Sequence, residues 1–125
     1  MKPLISFFVL IFIYISLSAQ QVDTIYLWPG AVPGETEPKH PAVVDSNRSG
    51  NTTRLTDVTN PMVVEFIPEE GAFNGSSVVI CPGGAYNILS IDKEGYEIAE
   101  WLNTLGYKAF VLQYRVPQKQ EGALQ

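Results

Sequence analysis

Two apolar segments, joined by a glycine turn and a helical pattern, restrict the fold of this chain more than any other feature. The first segment, Ser77–Cys81, lacks polar alternation, which predicts a strand covered on both faces. The second, residues 108–114, follows Gly106, a residue typical of helix ends. A strand, a helix and a strand within roughly 40 residues predict a βαβ unit, and its crossover makes the two strands parallel. The sequence therefore predicts an α/β protein.

The helix of this unit is predicted from an apolar stripe. Its members are Ile98, Trp101, Leu102 and Leu105, with Ala99 beside them. Spacings of i, i+3, i+4 and i+7 favour packing through this stripe. We expect the opposite, solvated side to carry Glu97, Glu100 and Asn103. Asp92 is the predicted N-terminal cap.

Residues 1–19 have the composition of a secretory signal peptide. A positive start at Lys2 precedes an apolar run of about 15 residues and the small residues Ser18 and Ala19. A membrane anchor usually needs about 20 apolar residues, so a retained span is the less favoured alternative. We therefore expect a secreted or periplasmic protein with no membrane association after the leader is removed.

The remainder of the chain divides into two parts by composition. Residues 20–52 are rich in proline, glycine and polar residues, which predicts an extended N-terminal segment with a short strand at 22–27. Residues 53–125 form the predicted folded part, with further strands at 53–58 and 62–67.

Charge and residue counts exclude several functions. The formal net charge is −5 and no basic run occurs, so nucleic-acid binding is not expected. Cys81 is the only cysteine, which excludes an intrachain disulfide, and its place at a strand end predicts a buried, inert thiol. His40, the single histidine, is interpreted as a solvated loop residue and not as a ligand or base. No residues have metal-ligand spacing, and no cofactor is expected.

The turn Pro82-Gly83-Gly84-Ala85 has two interpretations from the residues alone. It is not a dinucleotide fingerprint, because Gly-x-Gly-x-x-Gly is absent and the predicted helix begins several residues later. No Gly-Lys-Ser/Thr follows, which excludes a phosphate loop. The glycines either let the chain turn off the strand or direct backbone N–H groups toward an oxyanion, as acyl transfer requires. Spacing alone leaves both open.

Several segments taken together resemble one known family. They are Leu27–Gly30, Val32–Gly34, Val78–Tyr86, Leu89–Ser90, Asp92–Gly95, Ala99–Asn103 and Leu105–Pro117. The family is the exported esterase and lipase branch of the α/β-hydrolases, whose members are often acetyl xylan esterases or proteins labelled xylanase-associated.

The resemblance implies that the amides of Gly84 and Ala85, supported by Gly83, form an oxyanion hole. It places Tyr86 either in the acyl pocket or as a plain anchor of the loop. Ala85 stands where the family often has a third glycine, and Lys93 replaces a frequent histidine. The family's strand order also places the strand that leads to the catalytic serine on the outer edge of strand 77–81.

The other catalytic groups of this family are absent from the 125 residues. No Gly-x-Ser-x-Gly occurs, and His40 lies upstream of the glycine turn, whereas the fold orders its triad as serine, acid and histidine further along. We interpret residues 53–125 as the incomplete N-terminal part of an α/β-hydrolase domain, a mostly parallel sheet with flanking helices. We expect these residues alone to be marginally folded and inactive on p-nitrophenyl acetate.

The parent protein is accordingly expected to be a secreted serine carboxylic-ester hydrolase. The resemblance implies that it deacetylates plant cell-wall xylan, with an acylated carbohydrate or small ester as its partner. The alternative is a non-catalytic carbohydrate-binding or accessory module on the same fold.

Overall fold

The computed structural model describes residues 22–45 and 50–117. In chain order the elements are β1 (Val22–Tyr26), β2 (Val43–Val44), β3 (Arg54–Thr56), β4 (Met62–Phe66), β5 (Ser77–Ile80), β6 (Leu89–Ser90), a π-helical turn (Asp92–Tyr96), α1 (Glu97–Thr104) and β7 (Lys108–Gln113). The predicted signal peptide lies outside these described ranges. Within them, no helix is long and apolar enough to cross a bilayer.

The larger sheet contains four strands in the order β1-β4-β7-β5. β4 is antiparallel to both of its neighbours, β1 and β7. β5 and β7 are parallel, with Val78 opposite Ala109 and Ile80 opposite Val111. This pairing confirms the predicted βαβ arrangement. It is the one parallel pairing in the described part of the sheet, so a mostly parallel α/β-hydrolase domain stays a prediction.

A smaller sheet of three short strands, β2-β3-β6, connects distant parts of the chain. β3 pairs with β2 through Thr56 and Val43, and with β6 through Leu55 and Leu89. Because β2 belongs to the N-terminal segment and β6 follows the glycine turn, this sheet links both to the body of the protein.

Small residues form the packing face of the helix. Ala99 and Asn103 are buried, and so is Gly95 one turn earlier. A Cβ on Gly95 would lie 3.0 Å from Val111 Cγ1 and 3.1 Å from Pro82 Cγ, so the helical chain approaches the sheet closely there. These residues are four apart and therefore share one side of the helix.

The predicted apolar stripe is the packing face only in part, since Ala99 is buried and Leu102 is partly buried against the core. Trp101 is 60% exposed, and Ile98 and Leu105 are also exposed among the described residues. Asn103, predicted to be solvated, donates from Nδ2 to the carbonyls of Phe66 at 3.1 Å and Tyr107 at 2.7 Å. The difference has a physical reason. Where the helix lies this close to the sheet, small side chains and a hydrogen-bonded amide fit between them, whereas large apolar side chains do not.

The end of the helix was correctly predicted, whereas its start was not. Gly106 has φ 82°, its amide donates to Asn103 O, and the amide of Tyr107 donates to Leu102 O, which together form a Schellman motif. Asp92 is no cap, because it lies inside the π-helical turn. Its carboxylate instead accepts the amide hydrogen of Thr53 at 2.7 Å.

Within the part of the chain that the structure describes, β5 is covered on one face only, which differs from the prediction of two covered faces. Ile80 is buried and Val78 packs against the core. Val79 is 63% exposed, and Cys81 is exposed as well. Side chains alternate along a strand, so Val79 and Cys81 lie on the same uncovered face. The prediction of a buried thiol is wrong for this reason.

A candidate oxyanion loop

The glycine turn after β5 contains three successive residues with positive φ. Gly84, Ala85 and Tyr86 have φ values of 144°, 53° and 59°. The chain reverses here, so that the amides of Asn87 and Ile88 both donate to the Gly84 carbonyl, at 3.0 and 3.3 Å. The Gly84 carbonyl oxygen therefore already accepts two hydrogen bonds from within the turn.

The N–H groups of the turn differ from the Gly84 carbonyl in their hydrogen bonding. Within residues 22–45 and 50–117, the amides of Gly84, Ala85 and Tyr86 donate to no backbone carbonyl. Ala85 and Tyr86 are exposed. Successive backbone N–H groups in such a turn can bind one anion. In an acyl-transfer site, each such donor stabilises the developing oxyanion by about 2.7–4 kcal/mol.

Glycine is required at position 84. A Cβ there would collide with the carbonyl oxygen of Ile88, and φ 144° is rarely adopted by L side chains. At Gly83 a Cβ would instead meet the carboxylate of Glu94, which is an exposed side chain that can move. A side chain is therefore disfavoured at the two positions for different reasons, which the sequence pattern does not distinguish.

Tyr114 supports the turn from the neighbouring strand. Its hydroxyl donates to the carbonyl oxygen of Pro82 at 2.6 Å. Its ring meets the exposed ring of Tyr86 edge-on, with centroids 6.4 Å apart. Burial raises the pKa of Tyr114, and the nearby Tyr86 adds to the shift.

Sequence reasoning missed Tyr114 as part of the site. The predicted parallel direction of β5 and β7 is the signal that pointed toward it, although the sequence does not give the register. Ile80 lies opposite Val111, so the residues that follow β5 and β7 leave the sheet side by side.

The described residues contain no serine next to a histidine. Ser76 and Ser77 are exposed, whereas Ser90 is buried and its amide donates to Gly83 O at 2.9 Å. The Nε2 atom of His40 lies 3.7 Å from Oδ2 of Asp57, a buried side chain. His40 lies in a loop, as predicted, but it is only partly solvated, because the N-terminal segment brings its ring against the β3–β4 turn and leaves 33% of the side chain exposed.

Part of this chain is similar to a curated protein. An acetylxylan esterase of Xylanibacter ruminicola is 41% identical to it over 66 residues. Over that stretch the chain is related to an esterase. The match covers 53% of this chain and 13% of the esterase, so the chain corresponds to a small part of that protein's length. No protein-family model matches the chain.

Proposed function

We propose that this chain supplies the oxyanion-hole part of a secreted serine carboxylic-ester hydrolase with an α/β-hydrolase fold. The observation that carries the proposal is the turn at Gly84 and Ala85, whose N–H groups donate to no backbone carbonyl among the described residues. The turn follows β5 directly, beside its parallel partner β7. The identity to part of an acetylxylan esterase supports the same class of reaction.

In this function the loop acts on the carbonyl oxygen of the ester. Attack by a serine makes that oxygen negative, and the amides of Gly84 and Ala85 donate to it in the transition state. Gly83 lets the loop approach the substrate closely, because a residue without a side chain adds no bulk. Tyr86, with its side chain 73% exposed, lines the acyl pocket.

The nucleophile and its base lie outside the described residues. β5 has one neighbour in the described sheet, so its outer edge is open. The family resemblance places the strand that leads to the serine at this edge. In the proposed enzyme, serine attack therefore takes place next to the loop.

The proposed substrate is an acetylated plant cell-wall carbohydrate such as xylan. The relative's name supports the acetyl group and the xylan backbone. Export through the apolar leader at residues 1–19 gives the enzyme access to a polymer that does not enter cells.

Gly84→Ala in the intact protein tests this function, with acetate release from acetylated xylan as the measurement. The added Cβ collides with Ile88 and displaces the two amides. We expect kcat to fall by about 10²–10³-fold with little change in KM, because the oxyanion exists only after attack.

Gly75→Ala is the matched control. Gly75 also has a positive φ, of 87°, but a Cβ there meets nothing within 4 Å, so the strain is reproduced without the collision. We expect this control to keep its kcat. An equal fall in both variants, or no acetate release by the unmodified protein, contradicts the proposal.

A further inference from the structure

Three side chains that can bind a metal converge where the N-terminal segment crosses the turn between β3 and β4. Glu37 and His40 belong to the segment and Asp57 to the turn. One ligand atom from each residue lies within 4.8 Å of the other two. Asp57 is buried, and the other two side chains are partly exposed. The proposed ester hydrolysis uses none of them.

The orientation of the His40 ring favours a cation. Its Nδ1 atom lies 2.8 Å from the carbonyl oxygen of Pro41. A carbonyl can only accept a hydrogen bond, so Nδ1 carries the proton. In the neutral ring, Nε2 therefore presents a lone pair. Metal-binding histidines commonly donate their second N–H to a carbonyl in this way.

The spacing between His40 and Asp57 fits a shared cation better than a direct hydrogen bond. Nε2 and Oδ2 are 3.7 Å apart, which is longer than a hydrogen bond. A lone pair on Nε2 is repelled by the carboxylate that it faces, and either a proton on Nε2 or a cation bound between the two atoms removes that repulsion. Two ligands bound at about 2.1 Å to one tetrahedral ion lie about 3.4 Å apart, close to the observed distance.

The fold holds two of the three ligands in place. The amide of His40 donates to Oγ1 of Thr59 at 3.0 Å, and that hydroxyl donates back to the His40 carbonyl at 3.3 Å. Thr59 is fully buried and lies in the same turn as Asp57. Glu37 is partly exposed on the N-terminal segment, where its amide donates to Oε1 of Glu35 at 3.1 Å.

We propose that Glu37, His40 and Asp57 bind one divalent transition-metal ion. One imidazole and two carboxylates suit Zn²⁺ or Mn²⁺ better than Ca²⁺ or Mg²⁺, which prefer oxygen ligands alone. The ion neutralises the two carboxylates and cross-links the N-terminal segment to the β3–β4 turn. This inference is independent of the proposed function, because it concerns other residues and another property.

Titration with Zn²⁺ tests the site. Untagged protein, stripped with EDTA and held at about pH 7.5, is titrated with zinc chloride in a calorimeter, because metal binding competes with protons for the ligands. We expect saturable micromolar binding and slower proteolysis within residues 31–45 in the bound form. His40→Gln and Glu37→Gln should each abolish the binding and the protection, and both leave the buried carboxylate unchanged.

Glu35→Gln is the matched control, because it removes a charge outside the cluster but keeps a side-chain oxygen that can accept the amide hydrogens of Thr36 and Glu37, as Oε1 of Glu35 does. We expect it to bind Zn²⁺ as the unmodified protein does. Circular dichroism establishes that each variant is folded. Equal binding by the unmodified protein and His40→Gln, loss of binding in Glu35→Gln, or no saturable binding by the unmodified protein overturns the proposal.

Discussion

Ala85 introduces strain into the candidate oxyanion loop. Its φ of 53° is left-handed, a conformation that costs an L residue about 1–2 kcal/mol. Glycine adopts this conformation without that cost, and glycine is frequent at this position in the family that the sequence resembles. Strained backbone is often found at functional sites, where the surrounding structure maintains it.

Ala85→Gly should therefore stabilise the protein. We expect the free energy of unfolding, measured by urea denaturation, to rise by about 1 kcal/mol as the left-handed strain is relieved. Ala31→Gly is the control, since Ala31 is exposed and is not among the residues with positive φ. If both variants lose the same stability, position 85 is not strained.

Tyr114→Phe should weaken the attachment of the loop and change its response to pH. Loss of the hydrogen bond to Pro82 lowers the unfolding free energy by about 0.5–1.5 kcal/mol. Burial raises the pKa of Tyr114 above its ordinary 10.0. The pKa of Tyr114 is higher in the folded than in the unfolded state, so the protonated hydroxyl favours folding. Its contribution to the free energy of unfolding is complete below pH 10.0 and is lost as the pH rises through the folded pKa.

Urea denaturation across this alkaline range measures the effect. We expect a shallower alkaline loss of stability in Tyr114→Phe than in the unmodified protein. Part of the loss remains, because burial also raises the pKa of Tyr96. Tyr26→Phe, at an exposed tyrosine, should change neither quantity. If the unfolding free energy of Tyr114→Phe falls as steeply at alkaline pH as that of the unmodified protein, Tyr114 does not titrate as proposed.

At the scale of the element, α1 packs on the sheet through small or hydrogen-bonding side chains, with Leu102 partly buried against the core. Asn103 satisfies two carbonyls, those of Phe66 and Tyr107, from a buried position between the helix and the sheet. Ala99 is fully buried one turn earlier on the same face. The helix is therefore held by shape and hydrogen bonding.

Asn103→Ala should destabilise the protein by about 1–3 kcal/mol, because both carbonyls lose their amide donor. Glu100→Ala is the control on the same helix, at an exposed position, and should stay within about 0.5 kcal/mol of the unmodified protein. Chemical denaturation measures both. A cost for Asn103→Ala no larger than that of the control would mean that its hydrogen bonds add no net stability.

The helix also shows how far sequence reasoning extends. Gly106 and the parallel strands were predictable, because a left-handed helix end and a crossover connection follow from local rules. The packing face was predictable only in part, because the apolar stripe included Ala99 and Leu102, which pack on the core, but also Trp101, which is exposed. Which stripe faces a sheet depends on how closely the two approach, a tertiary property that hydrophobic spacing does not contain.

The candidate site was predictable to a similar extent. A glycine-rich turn after a strand can be read from the sequence, and the resemblance supplied the expected roles of Gly84 and Ala85. The hydroxyl of Tyr114 and the proximity of His40 to Asp57 depend on long-range register, which no local pattern reports. Their contacts span 32 and 17 residues of sequence.

At the scale of the whole molecule, the N-terminal segment is fastened to the body at separated points. The amide of Leu27 donates to Pro61 O at 3.2 Å, and the amide of Asp45 donates to Arg54 O at 2.8 Å. Between these points, Thr59 exchanges two hydrogen bonds with the backbone of His40. Thr59 is therefore the central attachment of the segment.

Thr59→Val should loosen the segment while it preserves the shape of the buried side chain. We expect faster amide hydrogen exchange at His40 and its neighbours, because both hydrogen bonds to Thr59 are lost. Exchange in β4 and β7 should change much less. Thr36→Val, at an exposed threonine of the same segment, is the control and should leave exchange at His40 unchanged. Unaltered exchange at His40 in Thr59→Val would exclude the attachment.

The supports of the glycine turn have a consequence for the order of folding. Pro82 is bound by Tyr114 from beyond the crossover helix, and the Gly83 carbonyl by Ser90 of the smaller sheet. The contact with Tyr114 spans 32 residues and forms only after the intervening chain has closed. The contact with Ser90 is local in sequence, but the strand β6 that carries Ser90 is itself held by distant β3. A peptide of residues 81–90 should therefore lack the loop geometry, and the amide cradle should be among the last features to appear as the chain folds.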